Sequence, residues 1–221
     1  MAKMKWGETG VKRFFTGCDW GALYVMDDTG VYANGVAWNG LISVAISPSG
    51  AEANKQYADN GVYADIRSEE ECSGTIECFN TPDEFDICDG ILALEGVSLG
   101  QQIRRKFGFA YRSKVGNDVK GLDYGYKIKV VYNATAAPSD QTDETTNESP
   151  EAQTLSYEFD TEKVTFVYDN KTYKVATLEF DSTKLTEAAM KAVEDLLYGT
   201  EQAEPTLPAP EVLLAAVKAA K

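Results

Sequence analysis

Apolar and polar side chains alternate with a period of two through most of this chain between residues 20 and 181, which predicts strands. In YGYKIKVVY, Tyr124, Tyr126, Ile128, Val130 and Tyr132 share one face, with Lys127 and Lys129 on the other. In IRRKFGFAYR, Ile103, Phe107, Phe109 and Tyr111 share a face opposed by Arg104, Lys106 and Arg112. The same reading places strands at 20–26, 36–46, 62–68, 73–80, 104–115, 124–135, 152–160, 163–168 and 173–181. Nine short strands punctuated by Gly, Asn and Asp predict an all-β fold with minor α, an antiparallel β-sandwich or barrel.

Two stretches read as helical instead. In PDEFDICDG, Thr81 can cap, Pro82 can take the first helical position, and Asp83 and Glu84 favour the positive end of the dipole. A longer helix is predicted over 183–198, flanking the sheet, with Leu185, Ala189, Val193, Leu196 and Leu197 at helical spacing, a Glu187/Lys191 pair, and Gly199 as the stop. Three stretches carry no regular period. Residues 47–61, SPSGAEANKQYADNG, read as a long inter-strand loop, 136–150 as an exposed acidic excursion, and everything after Gly199 as a Pro-rich arm. Its final EVLLAAVKAAK would make only a marginal helix without a partner. The chain thus divides into an N-terminal arm (1–19), a sandwich domain (20–199) and a C-terminal arm (200–221).

The polar faces differ in sign. Arg104, Lys106, Arg112, Lys127 and Lys129 make basic faces, whereas SYEFD and ATLEFD present Glu158, Asp160, Glu179 and Asp181. Solvation explains this pattern, and so does a subunit that packs head to side with its own copies.

Composition narrows the chemistry. There are 35 Asp+Glu against 21 Lys+Arg, a net charge of −14, and no His among the 221 residues. An acidic chain is a poor polyanion reader. Without His, the commonest general base, the commonest zinc ligand and every Ser-His or Cys-His nucleophile are absent. The four Cys (18, 72, 78, 88) form no CxxC pair and read as free thiols. No nucleotide, nucleophile-elbow or EF-hand signature occurs. Asp27-Asp28 and the cluster Asp140, Asp143 and Glu144 fit a turn and a solvated loop better than a cation site, so no cofactor is expected. The first fifteen residues hold no apolar run of secretory length, and nothing reaches membrane-span length, which predicts a protein of the reducing cytoplasm in which the sequons at Asn133, Asn147 and Asn170 are coincidental.

Nine segments in order then carry a resemblance: WGETG (6–10), GVAWNGL (35–41), SPSGAEA (47–53), YADN (57–60), PDEF with CDG (82–90), GNDVKGLDYGYK (116–127), SPEA (149–152), DSTKL (181–185) and LYGTEQAEPTLPAP (197–210). The series resembles the major tail tube protein of long-tailed, non-contractile bacteriophages. Residues 212–221 lie outside it.

The resemblance implies a non-enzymatic β-sandwich subunit of the virion tail, assembled in the host bacterial cytoplasm as hexameric rings that stack into a tube. Its implied partners are copies of itself, the tape measure protein, the tail terminator and distal tail proteins; DNA would transit the lumen. The acidic balance then acquires a mechanism, because a carboxylate wall repels phosphates and lets DNA slide. Glu77, Glu158, Asp160, Glu179 and Asp181 are the expected lumen-lining residues. Ser47, Pro48, Ser49, Gly50, Ala51, Glu52, Tyr57, Asp59 and Asn60 form the expected assembly loop. A ring of a related injection device, a tail terminator, and a β-sandwich carbohydrate-binding module are the competing readings.

Overall fold

The computed structural model describes residues 4–220 except 144, 146, 147 and 149–151; Glu144, Asn147 and most of the SPEA segment therefore lie outside the described residues. Fourteen strands and two helices follow in order. These are β1 (Arg13–Val25), β2 (Val36–Trp38), β3 (Leu41–Gly50), β4 (Ala53–Ala58), β5 (Gly61–Arg67), β6 (Glu70–Cys78), β7 (Leu92–Leu94), β8 (Val97–Leu99), β9 (Phe107–Asn117), β10 (Gly121–Ala136), β11 (Leu155–Thr161), β12 (Val164–Tyr168), β13 (Lys171–Val175), β14 (Thr177–Asp181), α1 (Glu187–Leu197) and α2 (Pro210–Ala219). The fold is all-β with minor α.

The main sheet runs β2-β1-β9-β10-β11-β6-β3, with β14 also on β10 and all pairings antiparallel. The bend in β10 decides the architecture. The strand pairs with β14 as far as Val131 and with β9 as far as Ala134, with a register shift between Val131 and Ala134, and from Ala134 onward it pairs with β11. Between the two regimes Asn133 takes a φ of 48°. Tyr32 Oη secures that bend, donating to the Asn133 side-chain oxygen and accepting from its backbone N–H, each at 2.9 Å. The sheet consequently turns over on itself, and Leu23 of β1 meets Ile76 of β6 in one aromatic-rich core with Phe85, Phe107, Phe109, Tyr157 and Phe159.

The other face of the first layer is covered by the helices. Tyr126, Ile128, Val130 and Tyr132 stand where the alternation placed them, under Met190, Val193 and Leu197 of α1. β9 is buried on both faces, since Phe109 enters the aromatic core and Ala110 the helical one. Gly108 permits this. A Cβ there would collide with a Leu207 methyl, so Gly lets the C-terminal segment close on the sheet without displacing that side chain.

Several expectations change. Residues 47–61 are not one long loop; all but the junction Ala51-Glu52 and the turn Asp59-Asn60 belong to β3, β4 and β5. β1 begins at Arg13, inside the segment read as an N-terminal arm. The 200–221 segment is packed: Leu207, Pro210, Leu213 and Val217 are buried with α1, and Tyr132 Oη donates to the Pro208 carbonyl at 3.1 Å. α2 finds inside the subunit the partner a short helix needs. α1 starts at Glu187, capped by the Thr186 hydroxyl, which accepts from the Ala189 N–H; Lys191 pairs with Asp195 rather than Glu187. PDEFDICDG forms a single 3-10 turn, Asp83–Phe85, with Pro82 at the cap position and no side-chain cap. Ile103 precedes β9 and is 92% exposed.

Candidate assembly surface

β3 and β6 pair from Leu41 opposite Cys78 to Gly50 opposite Glu70, and the chain between them does not stop there. Gly50 (φ 82°) and Ala51 (φ 54°) redirect it into β4 and β5, which form their own two-stranded sheet. A Cβ on Gly50 would sit 2.7 Å from the Glu69 carbonyl oxygen, so the redirection requires Gly. At the tip, Asp59 and Asn60 take φ of 50° and 60° ahead of Gly61, the left-handed pair of a two-residue hairpin turn.

This hairpin mixes polar and apolar pairs: Ala53 lies opposite Arg67, Asn54 opposite Ile66, Lys55 opposite Asp65 and Gln56 opposite Ala64, and after a register shift that leaves Tyr63 as the extra residue of β5, Tyr57 lies opposite Val62. Among the described residues its large apolar side chains are left uncovered: Tyr57, Val62, Tyr63 and Ile66 are 72%, 56%, 78% and 58% exposed. A lone two-stranded hairpin is marginal in water. One carrying uncovered Tyr, Val and Ile is suited to burial against another surface.

The nine residues expected to form an assembly loop lie along this one ribbon. Ser47, Pro48, Ser49 and Gly50 belong to β3, Ala51 and Glu52 to the junction, Tyr57 to β4, and Asp59 and Asn60 to the tip. β3 is an edge strand, which is why it tolerates Pro48.

The five carboxylates expected in a lumen divide into two groups. Glu77, Glu158 and Asp160 share the outer face of β6 and β11, among hydroxyls. Glu158 lies opposite Thr75, Asp160 opposite Ser73, and the Ser43 hydroxyl donates to Glu77 at 2.7 Å. A shallow groove of about 260 Å³ between Ser47, Ser73, Glu158 and Asp160 marks this face. Among the described residues none of the three is in an ion pair. Glu179 and Asp181 stand elsewhere, on β14 opposite Lys129 and Lys127. Glu179 pairs with Lys127 Nζ at 2.6 Å. Burial opposes ionisation of Asp181, but hydrogen bonds from Thr183 and the charges of Lys127 and Lys184 outweigh it and hold the carboxyl below its usual range.

The basic faces are likewise not free. Arg104 pairs with Asp89 (3.4 Å), Lys106 with Glu162 (2.6 Å), and Arg112 grips Asp19 through two bonds of 2.7 and 3.0 Å while its guanidinium lies 4.0 Å over the Trp20 ring. Lys129 stands 5.8 Å over Tyr111. Ion pairing therefore removes the expected basic faces and neutralises β14, while Glu77, Glu158 and Asp160 remain an acidic face.

One exposed feature was not anticipated. β7 and β8 form a second hairpin, with Leu92 opposite Leu99 and Leu94 opposite Val97 on one face, turned by Glu95 (φ 49°) and Gly96 (φ 84°). Its signal was present as LALEGVSL, two alternating arms about a two-residue turn.

No protein-family model and no curated protein matches this chain. Among solved structures it is similar to the sheath/tube terminator of the PVC extracellular contractile injection system in its extended state, at 12% identity and a TM-score of 0.32, over 79% of this chain and 100% of the other. A chain of the anti-feeding prophage (AFP) baseplate aligns at 8% identity and a TM-score of 0.33, over 84% and 100%. A chain of the extended PVC sheath-tube complex aligns at 15% and 0.28, over 73% and 88%. Likenesses this faint carry no functional argument.

Proposed function

We propose that this chain is a self-assembling structural subunit of a phage-type tail tube, its copies forming rings that stack around a lumen through which DNA passes. The observation that carries this reading is the hairpin Ala53–Arg67, a two-stranded ribbon whose Tyr57, Val62, Tyr63 and Ile66 have no cover among the described residues. Ordering such a ribbon costs backbone entropy that only an external contact offsets. The order of the nine tail-tube-like segments supports the same class. Glu77, Glu158 and Asp160, the three of the five expected carboxylates that no cation pairs among the described residues, are the proposed lumen face; Glu179 and Asp181 are already neutralised and serve it poorly.

The test is assembly. Concentrated protein should form rings or tubes in negative-stain micrographs and sediment accordingly; long stacks mark a tube, single rings a terminator. Replacing residues 53–67 by a Gly-Ser turn should leave the thermal unfolding of the dilute subunit cooperative and little shifted, while abolishing the fast-sedimenting fraction. A wild-type chain that stays monomeric at all salts, or a shortened chain that assembles normally, overturns the reading.

A further inference from the structure

The long strands of the first layer carry contrasting surfaces at their two ends. β1 and β9 run antiparallel, with Arg13 opposite Asn117 at one end and Val25 opposite Phe107 at the other. Thirteen residues in β1 at about 3.3 Å each separate these ends by roughly 40 Å.

At the first end the lead-in to β1 is tied to the β9–β10 turn: the Gly10 N–H donates to Asp118 Oδ1 at 3.0 Å and the Asp118 N–H to the Lys12 carbonyl at 3.2 Å. This end exposes Val11, Phe15, Val119 and Leu122. It is locally basic in an acidic chain, with Lys12, Arg13 and Lys120 against Asp118 and Asp123. Among the described residues none of those three cations is in an ion pair.

At the second end, beside the β7–β8 hairpin, lies a groove of about 510 Å³ with Met26, Ile87, Ile91, Leu92 and Ile103 on its apolar wall and Arg104, Arg105 and Lys106, each paired with a carboxylate, on its rim. Leu94, Val97 and Ile103 are 51%, 60% and 92% exposed. Asp28 and Asp89 are taken by Arg105 and Arg104. Asp83, Glu84, Asp86 and Glu95 are left with no cation among the described residues. Burial and the neighbouring Asp83 and Asp89 push the Asp86 carboxyl above its usual range, a strain that an incoming cation would relieve.

We propose that these two ends are the halves of one head-to-tail contact between copies of this chain, in which the basic β9–β10 end of one copy seats on the acidic β7–β8 end of the next. The inference rests on the self-assembly reading and names its axial surface. A second copy is the occupant because the two ends complement each other twice: apolar meets apolar, and unpaired cations meet unpaired carboxylates. Two different patches on opposite ends make a heterologous contact, and one that lies along the strand direction repeats without closing into a ring and so extends a stack.

Charge exchange tests it. One variant carries K12E/R13E/K120E; the other carries D83K/E84K/E95K, all at exposed positions. Each alone opposes like charges at every contact and should need at least tenfold more protein than wild type to reach half assembly by sedimentation. Mixed in equal amounts, the two reversed ends complement each other and so do the two native ends, and assembly should return as an alternating polymer. Neutral K12Q/R13Q/K120Q, with a smaller loss, serves if a reversal fails to fold. Variants that assemble alone like wild type, or a mixture no better than its components, overturn the end pairing and leave the hairpin reading standing. A wild-type chain that never assembles overturns both.

Discussion

The strands β11 and β14 repeat one pattern, Tyr157-Glu158-Phe159-Asp160 and Leu178-Glu179-Phe180-Asp181, and meet different fates. Both turn a Phe inward, and Phe159 and Phe180 are almost fully buried, one in the aromatic core and one beneath the helices. Outside, β11 lies against the Ser and Thr of β6 and keeps its carboxylates unpaired, whereas β14 lies against β10 and has Lys127 and Lys129 opposite. Alternation sets which residues face out; the neighbouring strand sets what an outward charge does.

The shared half of the comparison gives the largest effect. F159A and F180A should each destabilise the subunit by about 3–5 kcal/mol, read from urea unfolding, since each empties a ring-sized space in a closed core. A small loss at either position would mean that the two cores are not equally tight.

The contrasting half is smaller. E179K/D181K sets new lysines against Lys127, Lys129 and Lys184 and should cost about 1–3 kcal/mol. E158K/D160K, out among hydroxyls, should change stability by no more than about 0.5 kcal/mol. If that face lines a lumen, assembled E158K/D160K tubes should also retain DNA at low salt, with the log-log salt slope steeper by about 0.7–0.9 per cation engaged. Equal destabilisation by the two reversals would erase the distinction.

The smallest effect is in acid. The Asp181 carboxyl is held below its unfolded value of about 3.9. Its stabilisation is therefore full above that value and is lost as the pH falls through the lowered folded pKa. D181N should be less stable than wild type at pH 7 and should show a shallower decline below about pH 4, followed by thermal unfolding against pH. An unchanged acid limb would show that Thr183 and the lysines do not favour the charged form.

Much of the fold was legible because its signals are local. Tyr126 to Tyr132 alternate cleanly and do face the helices, and Gly199 does end α1, at φ 77°. The ribbon over 47–61 was misread because SPSG and the small residues around it lack the apolar alternation of a half-buried strand; its pairing is held by backbone hydrogen bonds and an uncovered face. The DNG at its tip and the EG between β7 and β8 were the usable hints, since both place left-handed residues between two arms. Ile103 fell on the wrong side of a strand boundary, where alternation alone gives no stop.

What the amino-acid sequence determined by itself is the class: period-two patterning makes strands, the absence of His removes imidazole acid–base chemistry and every Ser-His or Cys-His nucleophile, and the excess of carboxylates sets the sign of the surface. Tertiary structure decided the pairing. Which carboxylate meets a lysine and which meets a serine depends on strand order and register, quantities set by contacts between residues some 50 to 100 positions apart, as with Lys127–Glu179 and Arg112–Asp19. It also decided that the C-terminal residues are core, because the marginal amphipathic helix α2 becomes stable only once α1 and the Tyr132 face of β10 are in place to cover its apolar side.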